Sequence, residues 1–346
     1  MVVGLARAWF ERVGREDEVS PKTWVCFLML ATAGWGEPNL PSPTVLLDSR
    51  AVSIGVVHAR PDDSGFQQLF KTAWGAMRLR KGGGGSFLDL LSGFLSHSTQ
   101  ESMLLGLLPF QGVRIDHFDD KGRDRASFMV TLAGFQGLQS LFYNTLLRAP
   151  DGKTYPTVQI GRETLVIRPK PGQPQEEAGS VARVQGTFYS FADQETARRI
   201  LEKKQGQNAE LSRIFQLLDQ QQDTYGVLLN RQDSLYRFFD WVNRRDFENV
   251  RVAVGEEKLL NCFRHVDYCT WQGDLISDDR MDMQVKFRAD SPQNAEVLEE
   301  VLTTARQALA LQGRMGDLQM TTIDQEVLLS LQFTGYRKML TDYLSR

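Results

Sequence analysis

Two stretches carry the histidine, carboxylate and thiol groups from which acid–base or nucleophilic chemistry is usually assembled. The first is Asp116-His117, followed by Asp119-Asp120, the densest acid-plus-imidazole patch in the chain. A metal site or general base there needs converging ligands, and no second histidine stands at helical or hairpin spacing. Strand alternation instead puts His117 on the face of Val113 and Ile115, as a histidine at the edge of a core beside a solvated turn. The second stretch is His265, Asp267 and Cys269, which share a face if the segment is one continuous strand. Cysteine–histidine catalysis also needs an oxyanion donor, and neither a nucleophile elbow nor a helix terminus flanks Cys269. An ordinary sheet face is the simpler expectation. His58 and His97 stand alone, and no serine occupies a G-x-S-x-G elbow.

Phosphate chemistry has no better support. Gly82–Gly85 is glycine-rich, but a helical pattern precedes it and Ser86 follows directly, where a phosphate loop needs an entering strand and Lys-Ser/Thr. A flexible linker fits it better. No cofactor or metal is expected. Two surface features remain as contact sites. Trp241 falls off the apolar stripe of its helix beside Arg244, and Asp282, Lys286 and Arg288 line the polar side of a strand. The Arg244-Arg245 pair is too short for a nucleic-acid patch.

The elements that must position these groups follow one pattern. Met281, Met283, Val285 and Phe287 alternate with Asp282, Gln284, Lys286 and Arg288, a strand with one apolar and one charged face. Ser291-Pro292 then reads as N-cap and first helical residue. Val297, Leu298, Val301, Leu302, Ala305 and Leu309 make a helical stripe. An Asp278-Asp279-Arg280 turn joins this strand to one around Gly273–Ser277. The unit is strand, strand, helix, and a lone copy buries too little apolar surface to stand by itself.

Looser copies recur. Gly112–Phe118, Ala126–Ala133 and a helix over Phe135–Leu147 make one. Leu318–Ile323, Val327–Phe333 and a helix over Tyr336–Leu344 make another. Val45–Leu47 and Val52–Val57 read as the first strand or hairpin, and Tyr155–Ile160 with Thr164–Arg168 as a second. Val181–Phe191 reads as a strand leading into a helix at Asp193. Ala209–Leu218 and Ser234–Val242 read as helices, and Tyr225–Leu229, Val250–Val254 and Leu260–Tyr268 as strands. Helical patterns over residues 66–108 form an insertion. The fold class is therefore α+β, mainly antiparallel, with helices on one face of the sheet. Two halves, 34–170 and 180–346, flank a proline-rich loop at 171–179.

The chain has 346 residues, 42% hydrophobic and 24% charged, with formal net charge −3. That balance gives no global attraction to nucleic acid, and no apolar run reaches the ~20 residues of a spanning helix. Lys22, the apolar run Trp24–Leu30 and Ala31-Thr32-Ala33 stand in the order of an export signal, with cleavage after Ala33 ahead of Gly34–Pro43. The 21 residues before Lys22 favour a short buried helix and a cytoplasmic chain instead, unless they are an upstream extension. Cleavage removes Cys26 and leaves Cys262 and Cys269. In an oxidising compartment a tight hairpin would let them bridge, whereas seven residues apart in one continuous strand they face opposite sides; two buried thiols are the slightly preferred expectation.

The leading expectation is an exported, non-enzymatic binding or scaffolding protein of the bacterial envelope or periplasm, engaging an unknown protein or small-molecule partner. The alternative is a hydrolase-type enzyme assembled in space around His117 or His265. A second alternative is a carrier of lipid or another apolar ligand, its cavity lined by residues such as Phe128, Leu132, Phe287 and Phe333.

Overall fold

The computed structural model describes residues 42–60, 64–65, 67–68, 110–118, 124–132, 154–168, 179–184, 187–191, 193–202, 208–242, 244–277, 279–310 and 318–335. The expected export signal, the glycine run, the expected insertion at 66–108 apart from Gln67 and Gln68, and the helices expected at 135–147 and 336–344 lie outside the described residues. Contacts divide the chain into two compact units, with the boundary at Arg213/Ile214. The architecture is α+β, and every strand pairing within each unit is antiparallel.

The N-terminal unit orders its strands β1 (Ala51–Ala59), β2 (Phe110–Phe118), β3 (Asp124–Leu132), β7 (Thr187–Phe191), β6 (Gly179–Val184), β5 (Glu163–Arg168) and β4 (Thr157–Ile160). Period-two alternation places Ile54, Val56, Val113, Ile115, Met129 and Tyr189 on one buried face. Helix α1 (Gln194–Glu202) supplies Ala197 and Ile200 as further core residues. The run at Val45–Leu47, expected as a strand, falls largely in a 3-10 turn, Pro43–Leu46. Ser42 accepts from the Thr44 amide and Pro43 opens the turn, the same start signal that works at Ser291-Pro292. Val181–Phe191 is two strands rather than one. Gly161, at φ 58°, and Arg162 make the two-residue turn between β4 and β5. On either side of the proline-rich loop, β5 and β6 are hydrogen-bonded neighbours.

The C-terminal unit orders β11 (Leu318–Ile323), β12 (Glu326–Thr334), β10 (Arg280–Ala289), β9 (Val266–Leu275) and β8 (Thr224–Leu229). Four helices, α3 (Ser234–Val242), α4 (Arg244–Val254), α5 (Glu256–Arg264) and α6 (Pro292–Ala310), share one core with a single face of these strands. Met283, Val285 and Phe287 are buried there as their alternation requires. Phe239 sits in the middle, its ring 5.4 Å from that of Phe263 and 6.4 Å from that of Phe287. Asn230 ties two elements together: its amide donates to the Phe263 and Val266 carbonyls, and its oxygen accepts from the Leu235 amide.

Helices are not confined to that face. Helix α2 (Ala209–Gln216) ends with Phe215 against Tyr225, 5.5 Å between rings, and Tyr225 points to the opposite side of β8 from the core residue Leu228. The element order also departs from a simple repetition, because three helices intervene between β8 and β9.

One expected strand is helical, and a second, Leu260–Tyr268, is helical as far as Arg264 and becomes strand at Val266. Val250–Val254 belongs to α4: Val250 is buried and Val254 packs on the core, while Val252 is 79% exposed. Alternating valines suggested period two, but positions i and i+4 of a helix also share a face. Gly255, at φ 90°, separates α4 from α5, and Leu259, Cys262 and Phe263 then bury at helical spacing. In α6, Ser291 accepts from the Asn294 amide at 3.2 Å. Val297, expected in the buried stripe, is 41% exposed, because it lies ~100° around the helix from Leu298 and outside the arc that Ala295, Val301 and Leu302 share.

Gly273 marks the closest approach of β9 and β10: a Cβ there would lie 2.7 Å from the Asp282 carbonyl oxygen. Backbone cannot swing aside as a side chain does. Gly273→Ala is expected to lower the urea unfolding free energy by about 1–3 kcal/mol. Gly112→Ala, where nothing lies within 4 Å, is the comparison and shifts it far less.

Candidate functional site

Three polar constellations are built by these elements, one in the N-terminal unit and two in the C-terminal unit. The first surrounds His117. Its alternation with Val113 and Ile115 carries the imidazole inward, where it is 2% exposed rather than at the margin of a core. Asp193 caps α1 by accepting from the Thr196 amide at 2.7 Å, which sets Thr196 against β2. Thr196 Oγ1 lies 3.1 Å from His117 Nε2 and accepts from Arg199 Nη2 at 3.1 Å. A neutral imidazole with its proton on Nδ1 completes that chain.

Arg199 is the charged centre of the group. Its Nε donates to Asp48 Oδ2 at 3.0 Å and its Nη1 to Glu195 Oε1 at 2.6 Å, with Arg199 and Asp48 both buried. The Asp48 carboxylate also accepts from the Arg50 amide, and its carbonyl from the Ala51 and Asn208 amides. Asn208 donates to the Ala51 carbonyl and caps α2 through the Leu211 amide. Burial is the largest influence on His117 and pushes its pKa down, with the Arg199 charge acting the same way against Asp48, Asp193 and Asp116. The group is an internal hydrogen-bonded network that ties β2 to α1 and to the residues leading into β1 and α2, and its imidazole is buried.

Asp116, the neighbour of His117 in sequence, points to the other face of β2. It accepts from Arg114 Nη2 at 2.5 Å and from Ser53 Oγ at 3.1 Å. The two residues therefore do not act together.

The second constellation is at His265, and it differs from the expected strand face. His265 caps the end of α5, outside β9. Within β9, Val266 pairs with Ala289 and Tyr268 with Arg288, so Asp267 is an extra residue in the ladder. That bulge leaves Asp267 exposed and turns Cys269 into the core. His265 instead meets Asp290, with Nδ1 2.9 Å from Oδ2. Asn294 Nδ2 donates to the other carboxylate oxygen at 2.6 Å. These bonds, Asn294 first and His265 second, hold the Asp290 carboxyl below its usual range. Both members of the pair are more than two-fifths exposed, at 44% and 42% of their side chains.

Cys262 lies in α5 and Cys269 in β9, and both are free thiols in the core. Burial pushes Cys262 up to about 12 and Cys269 higher still, so neither is a thiolate at neutral pH. Among the described residues no three His, Cys, Asp or Glu side chains gather as metal ligands.

The third constellation is the polar side of β9, β10, β12 and β11. Asp282 pairs with Arg280 at 2.7 Å, and Glu326 receives Lys286 at 3.4 Å and Arg288 at 3.5 Å. Trp241 lies in the last turn of α3 and Arg244 opens α4, and their side chains lie outside the described residues. Phe287 and Phe333 are core residues of the C-terminal unit, whereas Phe128 belongs to the N-terminal unit, with the Arg114 guanidinium 5.6 Å from its ring. The side chain of Leu132 lies outside the described residues.

Sequence reasoning reached His117, His265 and the charged face. It missed Asp48, Thr196, Arg199 and Asp290, the partners that give the histidines their roles. The available signal was capping: Asp193 three residues before Thr196, and Asp290-Ser291-Pro292 ahead of Asn294.

Removing one side of the buried Arg199–Asp48 pair leaves the other charge unpaired. Arg199→Met or Asp48→Asn is expected to cost about 3–5 kcal/mol in urea unfolding, and the double variant less than the sum of the two. The His117 network also sets a pH dependence. Its pKa is lowered on folding, so the unfolded chain takes up a proton that the folded chain refuses as pH falls below about 6.5. Stability therefore falls from neutrality toward pH 5. His58 is lowered as well, by burial and by Arg60, and acts in the same direction. His117→Gln should flatten the slope of unfolding free energy against pH in this interval, relative to the unchanged chain.

No family model matches this chain, and no curated protein or solved structure matches it either.

Proposed function

We propose that the protein is an exported, non-enzymatic binding or scaffolding protein of the bacterial envelope or periplasm, and that it engages its partner through the polar face of β9–β12. The observation that carries this reading is the charge arrangement of that face. Its ion pairs sit among polar side chains, with Leu328 opposite Lys286 and Ile323 opposite Glu326 on the same face, while the other side of the same strands is covered by α3–α6. The order of Lys22, the apolar run Trp24–Leu30 and Ala31-Thr32-Ala33, read as an export signal, is what supports the compartment. Strand–strand–helix units laid edge to edge would supply such faces repeatedly, and the successions β6–β7–α1 and β9–β10–α6 agree with that building plan. Among the described residues no helix is long and apolar enough to cross a membrane.

A second reading is favoured by one distance. The 2.9 Å contact from Asp290 to His265 Nδ1 orients an imidazole as a carboxylate does in hydrolases, leaving Nε2 as the base. Against it, the pair lies open to water, and Cys269 is turned away into the core.

One set of measurements separates these readings. Expressed in a Gram-negative host, the chain should appear in the periplasmic fraction with its N-terminus at Gly34. A polarity-sensitive fluorophore on Thr321→Cys, at the exposed face of β11, should shift on addition of envelope extract, and one on Val252→Cys should not. Cys262 and Cys269 are buried and remain unlabelled, and the experiment uses a Cys26→Ser background. Ester hydrolysis lost specifically in His265→Ala would overturn the non-enzymatic reading.

A further inference from the structure

The contact between His117 and Thr196 works with only one protonation state of the imidazole. Thr196 Oγ1 accepts from Arg199 Nη2 at 3.1 Å and lies 3.1 Å from His117 Nε2. A guanidinium only donates, so the pairing that leaves no hydrogen idle has the hydroxyl giving its own to Nε2. That nitrogen must then keep its lone pair. An imidazolium presents an N–H there instead. Two cationic donors would converge on one oxygen, and the Thr196 hydrogen would lose its acceptor at a site where both residues are buried.

The charged groups around the imidazole are already engaged with one another. Asp48 holds Arg199 and the Arg50 amide. Asp193 takes the Thr196 amide, with Arg125 Nε 3.9 Å away, and Arg125 stands opposite His117 in the β2–β3 register. Glu195 receives Arg199, with Arg50 Nη1 at 3.8 Å. Asp116 lies on the other face of β2 and is taken by Arg114 and Ser53. Burial opposes a proton on His117 most, Arg199 adds to it, and together they outweigh the pull of Asp48, Asp193 and Asp116. What this cluster holds in place is α1, a helix of nine residues. A helix that short is marginal by itself, so its order comes from docking. Its buried residues are Thr196, Ala197, Arg199 and Ile200, and two of those four belong to the network. In the C-terminal unit His265 is 44% exposed, so no equivalent buried imidazole is found there among the described residues.

We propose that the His117–Thr196 contact is a proton-operated latch: a proton taken from water onto His117 Nε2 releases α1 from the N-terminal unit, while the C-terminal unit stays folded. The acid response is then local, because the element that opens first is the one docked on the imidazole, ahead of global unfolding. Release uncovers Ala197 and Ile200, which the docked helix keeps buried. The direction follows from linkage. Once α1 has left, His117 meets water and titrates near 6.5, whereas under the docked helix it titrates lower. Release is therefore promoted as pH falls below about 6.5, by up to about tenfold per pH unit for one proton. The latch does not depend on which partner the protein engages.

The test is hydrogen exchange of the full chain, read by mass spectrometry at pH 7 and pH 5 and corrected for intrinsic rates. That interval stays above the usual carboxylate range, so histidines dominate it. The expected result is a fall of at least about tenfold in protection over α1 from pH 7 to pH 5, while β9 and β10 keep theirs. His117→Gln retains an acceptor for the Thr196 hydroxyl and takes up no proton, so it should abolish the fall, and His58→Gln should leave it. Protection of α1 that does not change with pH overturns the latch, as does an equal fall in β9 and β10. A fall that persists in His117→Gln, or disappears in His58→Gln, belongs to another group and overturns it too. If His117→Gln does not fold, the other three of the four histidines decide. The selective fall must then survive in each of His58→Gln, His97→Gln and His265→Gln, and its loss in any one sinks the latch.

Discussion

The register of β10 between β9 and β12 is the constraint on which the C-terminal unit depends. Side chains alternate with period two, so a slip of one residue would exchange the two faces of the strand. Met283, Val285 and Phe287 would turn to water, and Asp282, Lys286 and Arg288 would turn into a core centred on Phe239. Several local devices hold the pairing. The Gly273 backbone approaches β10 too closely for any side chain to replace its hydrogen. Ser277 and Arg280 exchange backbone hydrogen bonds at the turn. Asp324, at φ 51°, takes the left-handed conformation that closes the β11–β12 turn in two residues. The bulge at Asp267 absorbs one residue at the far end of β9, which brings Cys269 onto the core face. Core and polar face are thus two consequences of one alignment.

The N-terminal unit uses a different means to fix its elements. Its apolar face is ordinary, but α1 and α2 are located by polar groups that are almost wholly buried. Asp48 lies at the centre, because its side chain holds Arg199 while its backbone carbonyl receives the amides of Ala51 and Asn208. Such a network gains little net stability over a well-packed apolar alternative, since two charges had to leave water. Its value lies in exclusivity. The placement of α1 must bring Arg199 to Asp48 and Thr196 to His117 at once, and a misplacement leaves a buried charge or polar group unmatched.

The strands were legible where alternation was reinforced by a turn signal, and the pairs β4–β5 and β11–β12 follow their apolar patterns to within a residue or two. Failures came where two periods gave the same pattern over a short window. Val250, Val252 and Val254 alternate, and β-branched residues favour strands, yet a helix also separates alternate positions, burying the first and third. The run from Leu260 to Tyr268 failed because a helix end and a strand start abut at His265. No proline or glycine marks that junction, since Asn230 satisfies it from another part of the chain. Contacts of this kind, like Arg199 with Asp48 151 positions away, carry no local signature.

The His265–Asp290 pair shows how a catalytic geometry can arise from a structural requirement. The first amides of α6 need acceptors, and Ser291 supplies one at Asn294. Asp290, one residue further out, adds negative charge where the helix dipole favours it. Its two oxygens are then occupied, one by the Asn294 carboxamide and one by His265. The backbone makes the same connection, with the Asp290 amide donating to the His265 carbonyl at 2.9 Å. The contacts between His265 and Asp290 thus join the end of α5 to the start of α6. Water exclusion strengthens acid–base catalysis, whereas here the ring and the carboxylate are both open to solvent. The geometry that resembles half of a triad is accounted for by helix capping, which leaves the polar face of the strands, rather than this pair, as the surface whose chemistry is unspent.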